Sequence, residues 1–316
     1  MEPAGGRFRH EALFYPDAAG YVADTAQYIR DGLAADEAVL VAVIDEHAQP
    51  LREALGPDVA AVEFLDMAEI GRNPARLIPA WQDWLERNTA RGTGFRGVGE
   101  PVWAGRTELE IRECRVHEHL LNTAFDPGPA WRLLCPYDTA HLAPEVLEDL
   151  ARAHPAVLGA QPSPEPYDAL AADTALAGAP PDLGPPLFST SFGMDALPWL
   201  RTAVRERADQ LGLRGPDVTD FVLVADELAC NSVRHGGGHG SIALWAQDGH
   251  AVCEVRDAGL IKDPLVGRRR PDLTAGIGGA GLWTANQLCD LLLIHSAPGT
   301  GTAVRAYLPV RERLTA

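Results

Sequence analysis

Lysine is almost absent from the 316-residue chain: Lys262 stands alone beside 26 arginines. A phosphate loop of the GxxxxGK[ST] type needs a Gly-Lys pair, and Ile261 precedes Lys262, so that loop is excluded. A kinase-strand lysine, a Schiff-base lysine or a Ser-Lys nucleophile would each have to be Lys262. Phosphate chemistry here must rest on backbone N–H groups, metal and arginine. Basic runs large enough for a binding face are also missing. The net charge is −17, with 26 acids and 14 arginines in residues 1–160 and 18 acids and 13 bases in 161–316. Nucleic acid is therefore not expected as a direct partner. No apolar run reaches the ~18 residues of a membrane span, and MEPAGGRFRHEA has no hydrophobic signal core, so a cytoplasmic protein without a membrane partner is expected. Cysteine is sparse. Cys114, Cys135, Cys230, Cys253 and Cys289 form no CxxC pair, and their odd number leaves one unpaired, which reads as reduced thiols.

What is present points to two α/β domains. In the first half, apolar runs at 38–44, 60–65, 95–98 and 131–135 alternate with helical patterns at 18–33, 74–91, 108–125 and 144–153. Continuous apolar strands between amphipathic helices predict a parallel sheet covered on both faces. Residues 155–187 turn rich in Pro and Ala, with proline pairs at 180–181 and 185–186 that fit neither helix interiors nor central strands. The expected division is a first domain over 1–155, a linker over 156–187 and a second domain over 188–316. The second half predicts helices at 197–211 and 217–235, with Asp217 as N-cap, strands at 241–246 and 251–256 around an Asp-Gly turn, a helix at 282–288, and strands at 291–295 and 302–308. That order predicts an α/β sandwich with a mixed sheet.

The helix around 217–235 carries ADELACNSVRHG, where Glu227 and Asn231 are four apart and share a face, and His235 returns to it. Such a spacing is most often a solvated polar face. Two later features add to it: Asp257-Ala258-Gly259 after a strand, and Gly279-Ala280-Gly281-Leu282 opening a helix. Each part suits a nucleotide. The Asn231 oxygen is a neutral hard ligand for Mg2+. Glu227 can polarise an attacking hydroxyl. Asp257 can accept from the exocyclic amine of adenine, and Gly259 lets backbone approach the ring. Gly279 and Gly281 leave N–H groups for an anion at a helix N-terminus.

These three elements resemble the N, G1 and G2 boxes of the GHKL (Bergerat-fold) ATPases, over about residues 188–312. Within them, ELACNSVRHG most resembles the anti-sigma factor serine/threonine kinases. Gly299-Thr300-Gly301-Thr302-Ala303-Val304 resembles the start of that family's last strand, which implies Thr302 near the adenine. Leu260 departs from the pattern, standing where many members have a second glycine. The resemblance implies an enzyme that binds ATP and Mg2+, phosphorylates Ser or Thr of a STAS-domain anti-anti-sigma protein and sequesters a sigma factor. It implies Glu227 as catalytic base, Asn231 as metal ligand, and Asn231, His235, Asp257, Gly259, Gly279, Gly281, Leu282 and Thr302 around the nucleotide. It leaves open a homodimer, a non-catalytic ATP-gated binding module and an atypical sensor histidine kinase.

In the first half, HEALFYPDAAGYVADTAQYIRDGL, VGEPVW, CRVHEHLLN and LLCPYDTAHL resemble the MEDS-type sensory domain, a degenerate RecA/KaiC-like module, over about 7–155. The resemblance implies an unidentified small-molecule signal there. Asp45, Glu46, Asp66, Glu100, Tyr137 and Asp138 follow strand runs, where parallel sheets bind ligands. They are either polar strand ends or a site for a cationic, metal-bearing or neutral ligand; their charge and the missing Gly-Lys loop exclude ATP. Three patterns carry less. The GxGxxG at 276–281 has neither the preceding strand nor the following acid of a dinucleotide fingerprint. His10-Glu11 through Pro16 imitates a phosphoacceptor box but lies 217 residues before Glu227. Cys114, His117 and His119 have metal-like spacing without a completing ligand. Arg268-Arg269-Arg270 is a solvated run or part of a lid.

Overall fold

The computed structural model describes residues 8–91, 94–126, 128–159, 176–271 and 280–311. The chain divides into two compact units, Met1–Asp173 and Thr174–Ala316.

The first unit is a six-stranded parallel sheet. Its strands are β1 (Arg9–Tyr15), β2 (Ala38–Val43), β3 (Val62–Asp66), β4 (Phe95–Gly99), β5 (Arg132–Asp138) and β6 (Ala156–Val157), in the order β3-β2-β4-β5-β1-β6. The helices are α1 (Ala18–Ala34), α2 (Asp45–Leu55), the short α3 (Met67–Ile70), α4 (Leu77–Asn88), α5 (Glu108–Phe125) and α6 (Pro144–Ala153). Every residue of β2 is buried, as a strand covered on both faces requires. Helix starts follow local chemistry. Asp17 caps α1 by accepting from the Gly20 N–H at 2.8 Å, and Thr107 with Glu110 forms a capping box on α5. From β2 the chain turns outward to β3, whereas from β4 it turns the other way to β5. The crevice where the order reverses lies beyond the carboxyl ends of β2 and β4.

Two strands escape the sequence pattern. β1 pairs with β5 along its whole length, yet its second and third residues, His10 and Glu11, are polar and buried, which breaks the apolar run that would announce it. β6 has only two residues, too few for any periodicity.

The second unit is a two-layer sandwich. Strands β7 (Phe188–Gly193), β8 (His239–Gln247), β9 (His250–Asp257), β10 (Leu291–Ala297) and β11 (Gly301–Pro309) lie in the order β10-β11-β9-β8-β7. Helices α7 (Leu197–Glu206), α8 (Pro216–His235) and α9 (Ala280–Leu288) complete it. The expected mixed sheet is corrected: every pairing is antiparallel. The β8–β9 hairpin turns at Asp248 (φ 46°) and Gly249 (φ 75°), the left-handed pair that a tight hairpin needs. β10 and β11 form a second hairpin, and β11 returns alongside β9, so the helical crossover never joins adjacent parallel strands. The expected cap at Asp217 also shifts. Gly215 is the N-cap and Pro216 opens α8, because proline suits the first helical position; Asp217 sits in the first turn and pairs with Arg311 at 3.3 Å.

α8 buries Phe221, Val224, Ala225, Leu228 and Ala229 at helical spacing against Ile242, Leu244, Cys253 and Val255. The proline-rich stretch over 176–187 lies on this unit: Leu176 is in its core, Pro181 O accepts from Arg305 Nη1 at 2.6 Å, and Gly184 O accepts from Trp245 Nε1 at 3.0 Å.

Candidate functional site

Asp257 ends β9 and is the hub of the second unit. Its Oδ2 accepts from Ser232 Oγ on α8 at 2.5 Å, and its Oδ1 accepts from the Gly259 N–H at 2.8 Å. The chain passes so close that side chains are barred. A Cβ at Gly236 would run into the Asp257 carboxylate. A Cβ at Gly259 would lie 2.7 Å from His235 O and 2.9 Å from Asp257 Oδ1. The β9–β11 register sets Thr302 opposite Asp257. Hydroxyl directions then follow by elimination. Ser296 Oγ accepts from the Ile261 N–H at 2.8 Å, so its own proton goes to Thr302 Oγ1, also at 2.8 Å. Thr302 in turn donates to Gly259 O at 2.9 Å. This chain of bonds pins the segment leaving β9.

Above Asp257 opens a cavity of about 330 Å3. Leu228, Val255, Val266 and Leu282 line it with apolar surface, and Asn231, Ser232, His235, Asp257, Lys262 and Thr302 add polar groups. That is the composition of a site for a flat heterocycle: apolar walls and a few convergent polar atoms. A wider depression of about 630 Å3 shares Asp257 but is lined beyond it by Arg256, Gly299 and Thr300, away from the α8 acid–amide face.

Asn231 lines the cavity, and one turn back along α8 Glu227 adjoins it on the side of α9. Gly281 joins them: a Cβ there would lie 2.7 Å from Glu227 Oε2 and 3.0 Å from Asn231 Nδ2. Glycine thus lets the start of α9 face a carboxylate and an amide. Asn231, Leu282, Asp257, Gly259, His235 and Thr302 line one cavity, and Glu227 and Gly281 adjoin it at Asn231. Gly279 and the rest of 272–279 lie outside the described residues. His235 is exposed at the end of α8, beside Asp257 and about 12 Å along the helix from Glu227. Arg268 is buried, whereas Arg269 and Arg270 are exposed, so the three arginines do not form one face.

In the first unit the strand-end acids separate. Asp66 caps α3 through the Ala68 N–H at 2.9 Å, and Asp138 pairs with His141 at 2.7 Å, so both serve local structure. Asp45 and Glu46 are exposed in the first turn of α2. Glu100 is different. It is buried at the β2/β4 crevice and meets His47 Nδ1 at 2.6 Å. The hydrogen bond to Glu100 raises the His47 pKa, and burial raises that of Glu100. Tyr15 and Tyr21 stand edge-on or tilted against the imidazole. The crevice therefore holds an acid–imidazole pair and phenols, and Asp17 already occupies the N-terminus of α1 that would otherwise receive an anion.

Residues 9–155 match the family model described as MEDS, the MEthanogen/methylotroph, DcmR Sensory domain, and residues 193–308 match the Histidine kinase-like ATPase domain. The chain joins a MEDS sensory domain to a histidine kinase-like ATPase domain. No curated protein matches it. The pairing places the protein among sensory regulators with an ATPase or kinase-like output, and the second domain is of the ATP-binding type. Among the described residues, no helix is long and apolar enough to cross a membrane.

Sequence reasoning missed Ser232, Gly236 and Ser296 in the ATPase domain and His47 in the MEDS domain. Ser232 directly follows Asn231, and Gly236 directly follows His235, so their signal lay inside the motif already marked. His47 likewise directly follows Glu46, one of the acids already marked, whereas Ser296 has no such signal, since only the sheet register brings it in. Gly281→Val is expected to weaken Mg-ATP affinity with the far-ultraviolet circular dichroism unchanged. Overpacking costs about 1–3 kcal/mol, which is about 5- to 150-fold if it falls wholly on the site. Calorimetric titration of the variant measures it.

Proposed function

We propose that the protein is an anti-sigma-factor-type serine/threonine kinase, in which the ATPase domain binds Mg-ATP, phosphorylates a STAS-domain antagonist and sequesters a sigma factor under control of the MEDS domain. The observation that carries the reading is the convergence of Glu227, Asn231 and Gly281 beside a cavity that Asn231 and Asp257 both line. Ser232, which binds Asp257, lies five residues beyond Glu227, or roughly 7 Å along the helix, so base and phosphate ends are separated along α8.

The residues fit the groups the family implies. Apolar walls and the Asp257 carboxylate suit adenine; Asn231 offers a neutral oxygen to Mg2+; the first turn of α9 offers N–H groups to phosphate. Bound Mg-ATP supplies a transferable phosphoryl group. Asp257 accepts a hydrogen bond from the base amine and so orients the ring. Thr302, already donating to Gly259 O, holds the floor of that subsite in place. His235 belongs to the base or ribose end, because its helical separation from Glu227 keeps it from the terminal phosphate. Glu227 would take the proton of the substrate Ser or Thr hydroxyl as that oxygen attacks the γ-phosphorus and the bond to the β–γ bridging oxygen breaks, releasing ADP. Lys262 lines the groove and is exposed, which suits contact with phosphate.

Two features favour a protein substrate over a histidine relay. His10 is buried on β1, so the phosphoacceptor-like box is not presented to an ATPase domain. Met194, Trp199 and Leu223 are exposed on the ATPase domain, where a protein partner can cover them. Incubation with a STAS-domain partner and Mg-ATP tests the reading; acid-stable phosphoserine or phosphothreonine on the partner is the expected product. Nucleotide-dependent association without phosphorylation would instead assign a binding module.

A further inference from the structure

A second polar group is sealed inside the MEDS domain, away from the strand ends. His10 near the start of β1, Cys135 in the middle of β5, Glu118 on α5 and His154 just past α6 are 1%, 1%, 0% and 2% exposed. Their donor atoms all lie within 4.8 Å of one another. His10 Nε2 is 3.0 Å from Glu118 Oε2, His154 Nε2 is 3.2 Å from the same oxygen, and His10 Nε2 is 3.3 Å from Cys135 Sγ.

His154 is oriented from behind. His154 Nδ1 lies 2.6 Å from Leu150 O, which can only accept, so Nδ1 carries the proton and a neutral ring turns its Nε2 lone pair on Glu118. Asn122 donates Nδ2 to Ala153 O at 2.9 Å and stands beside His10 as a hydrogen-bonding neighbour. An imidazole whose far nitrogen is tied to a backbone carbonyl is the usual outer-shell arrangement of a metal ligand. Without a cation, the lone pair of His154 Nε2 meets a carboxylate in a dry interior, with the Tyr137 hydroxyl 3.4 Å from that nitrogen, and neither Glu118 oxygen makes a well-directed hydrogen bond. Burying such a charge uncompensated is costly.

The donor set decides which cation. Two imidazole nitrogens, one thiolate and one carboxylate match zinc. Zinc–ligand bonds of about 2.0–2.3 Å set the donors of a tetrahedron about 3.3–3.8 Å apart, close to the contacts above. We propose that His10, Glu118, Cys135 and His154 form a closed, four-coordinate zinc(II) site that fastens α5 and α6 to β1 and β5. As the Zn–S bond forms, the Cys135 thiol loses its proton to solvent. Four protein ligands leave no open position, so the site is structural. The cysteine that the spacing of Cys114, His117 and His119 suggested is elsewhere: Cys114 Sγ donates to Pro101 O at 3.0 Å, and His119 pairs with Asp149 at 3.6 Å.

The test uses the full-length chain. Metal analysis after zinc-supplemented growth should find about one zinc per chain, and chelation should lower the melting temperature. Titration of the stripped protein with Co(II) should produce a thiolate-to-cobalt charge-transfer band and the intense visible absorption of tetrahedral cobalt. Cys135→Ser should abolish the charge-transfer band, and Cys114→Ser should leave it intact. A folded wild-type chain with neither bound zinc nor a cobalt band overturns the proposal and leaves a proton-held cluster; so does a band that survives Cys135→Ser. If Cys135→Ser does not fold, zinc stoichiometry and the wild-type cobalt spectrum decide alone.

Discussion

Asp257→Asn is expected to lower ATP affinity about 10- to 150-fold, the equivalent of the about 1.5–3 kcal/mol of a hydrogen bond to a charged group. The carboxylate already accepts from Ser232 Oγ and the Gly259 N–H, one on each oxygen. Two acceptors per oxygen leave capacity for the amine of adenine. An amide keeps the shape but puts an NH2 where an acceptor is needed. If Asn keeps the Gly259 bond through its oxygen, its NH2 faces both the Ser232 hydroxyl and the base. Guanine carries a carbonyl in place of the amine, so the wild type should discriminate against GTP and the variant should lose that discrimination. Isothermal titration with both nucleotides measures it. Unchanged ATP affinity in a folded variant would remove Asp257 from the base subsite.

Glu227→Gln should separate chemistry from binding. General-base removal costs about 10^2- to 10^4-fold in rate, whereas the groove walls, Asp257 and Asn231 are untouched. Phosphotransfer to a STAS partner should therefore collapse while ATP affinity changes only a few-fold. The substitution is nearly isosteric, so the close packing of Glu227 against Gly281 is kept. A variant that loses affinity and turnover together would make Glu227 a positioning residue for the α9 turn instead.

Much of this site was legible in the sequence because it is local. Glu227, Asn231, Ser232 and His235 lie on one helix, where the 3.6-residue repeat fixes their faces. Asp257 and Gly259 are two apart at a strand end. Gly281 was marked by the glycine-rich helix opening and Thr302 by resemblance, whereas the parts played by Ser232, Gly236 and Ser296 needed the fold. The five-stranded sheet was legible in its hairpins but not in its direction. β7 was not legible at all, since FSTSFG carries little apolar signal and its pairing with β8 defines it.

The MEDS domain was less readable where its chemistry is most unusual. β1 was obscured by His10 and Glu11, the residues that make it distinctive: Glu11 binds Arg132 Nε at 2.9 Å, and His10 joins the buried cluster. The neighbourhood of His117 and His119 looked metal-like, but the helix turns Glu118, between them, to His10 and His154. Four ligands drawn from residues 10 to 154 leave no spacing motif, because β1, β5, α5 and α6 assemble them in space. The strand-end acids stayed open between polar ends and a site for the opposite reason. Proximity to strand ends is visible in sequence, but the local partners that satisfy Asp66 and Asp138 are not.

The most direct measurement is phosphotransfer itself. The full-length protein, γ-labelled ATP, Mg2+ and a STAS-domain partner are incubated, and label is followed on each chain. The expected result is acid-stable label on Ser or Thr of the partner, abolished by chelating Mg2+ and by Glu227→Gln. Acid-labile label on the protein itself, lost on replacing a histidine, would contradict the serine/threonine kinase reading.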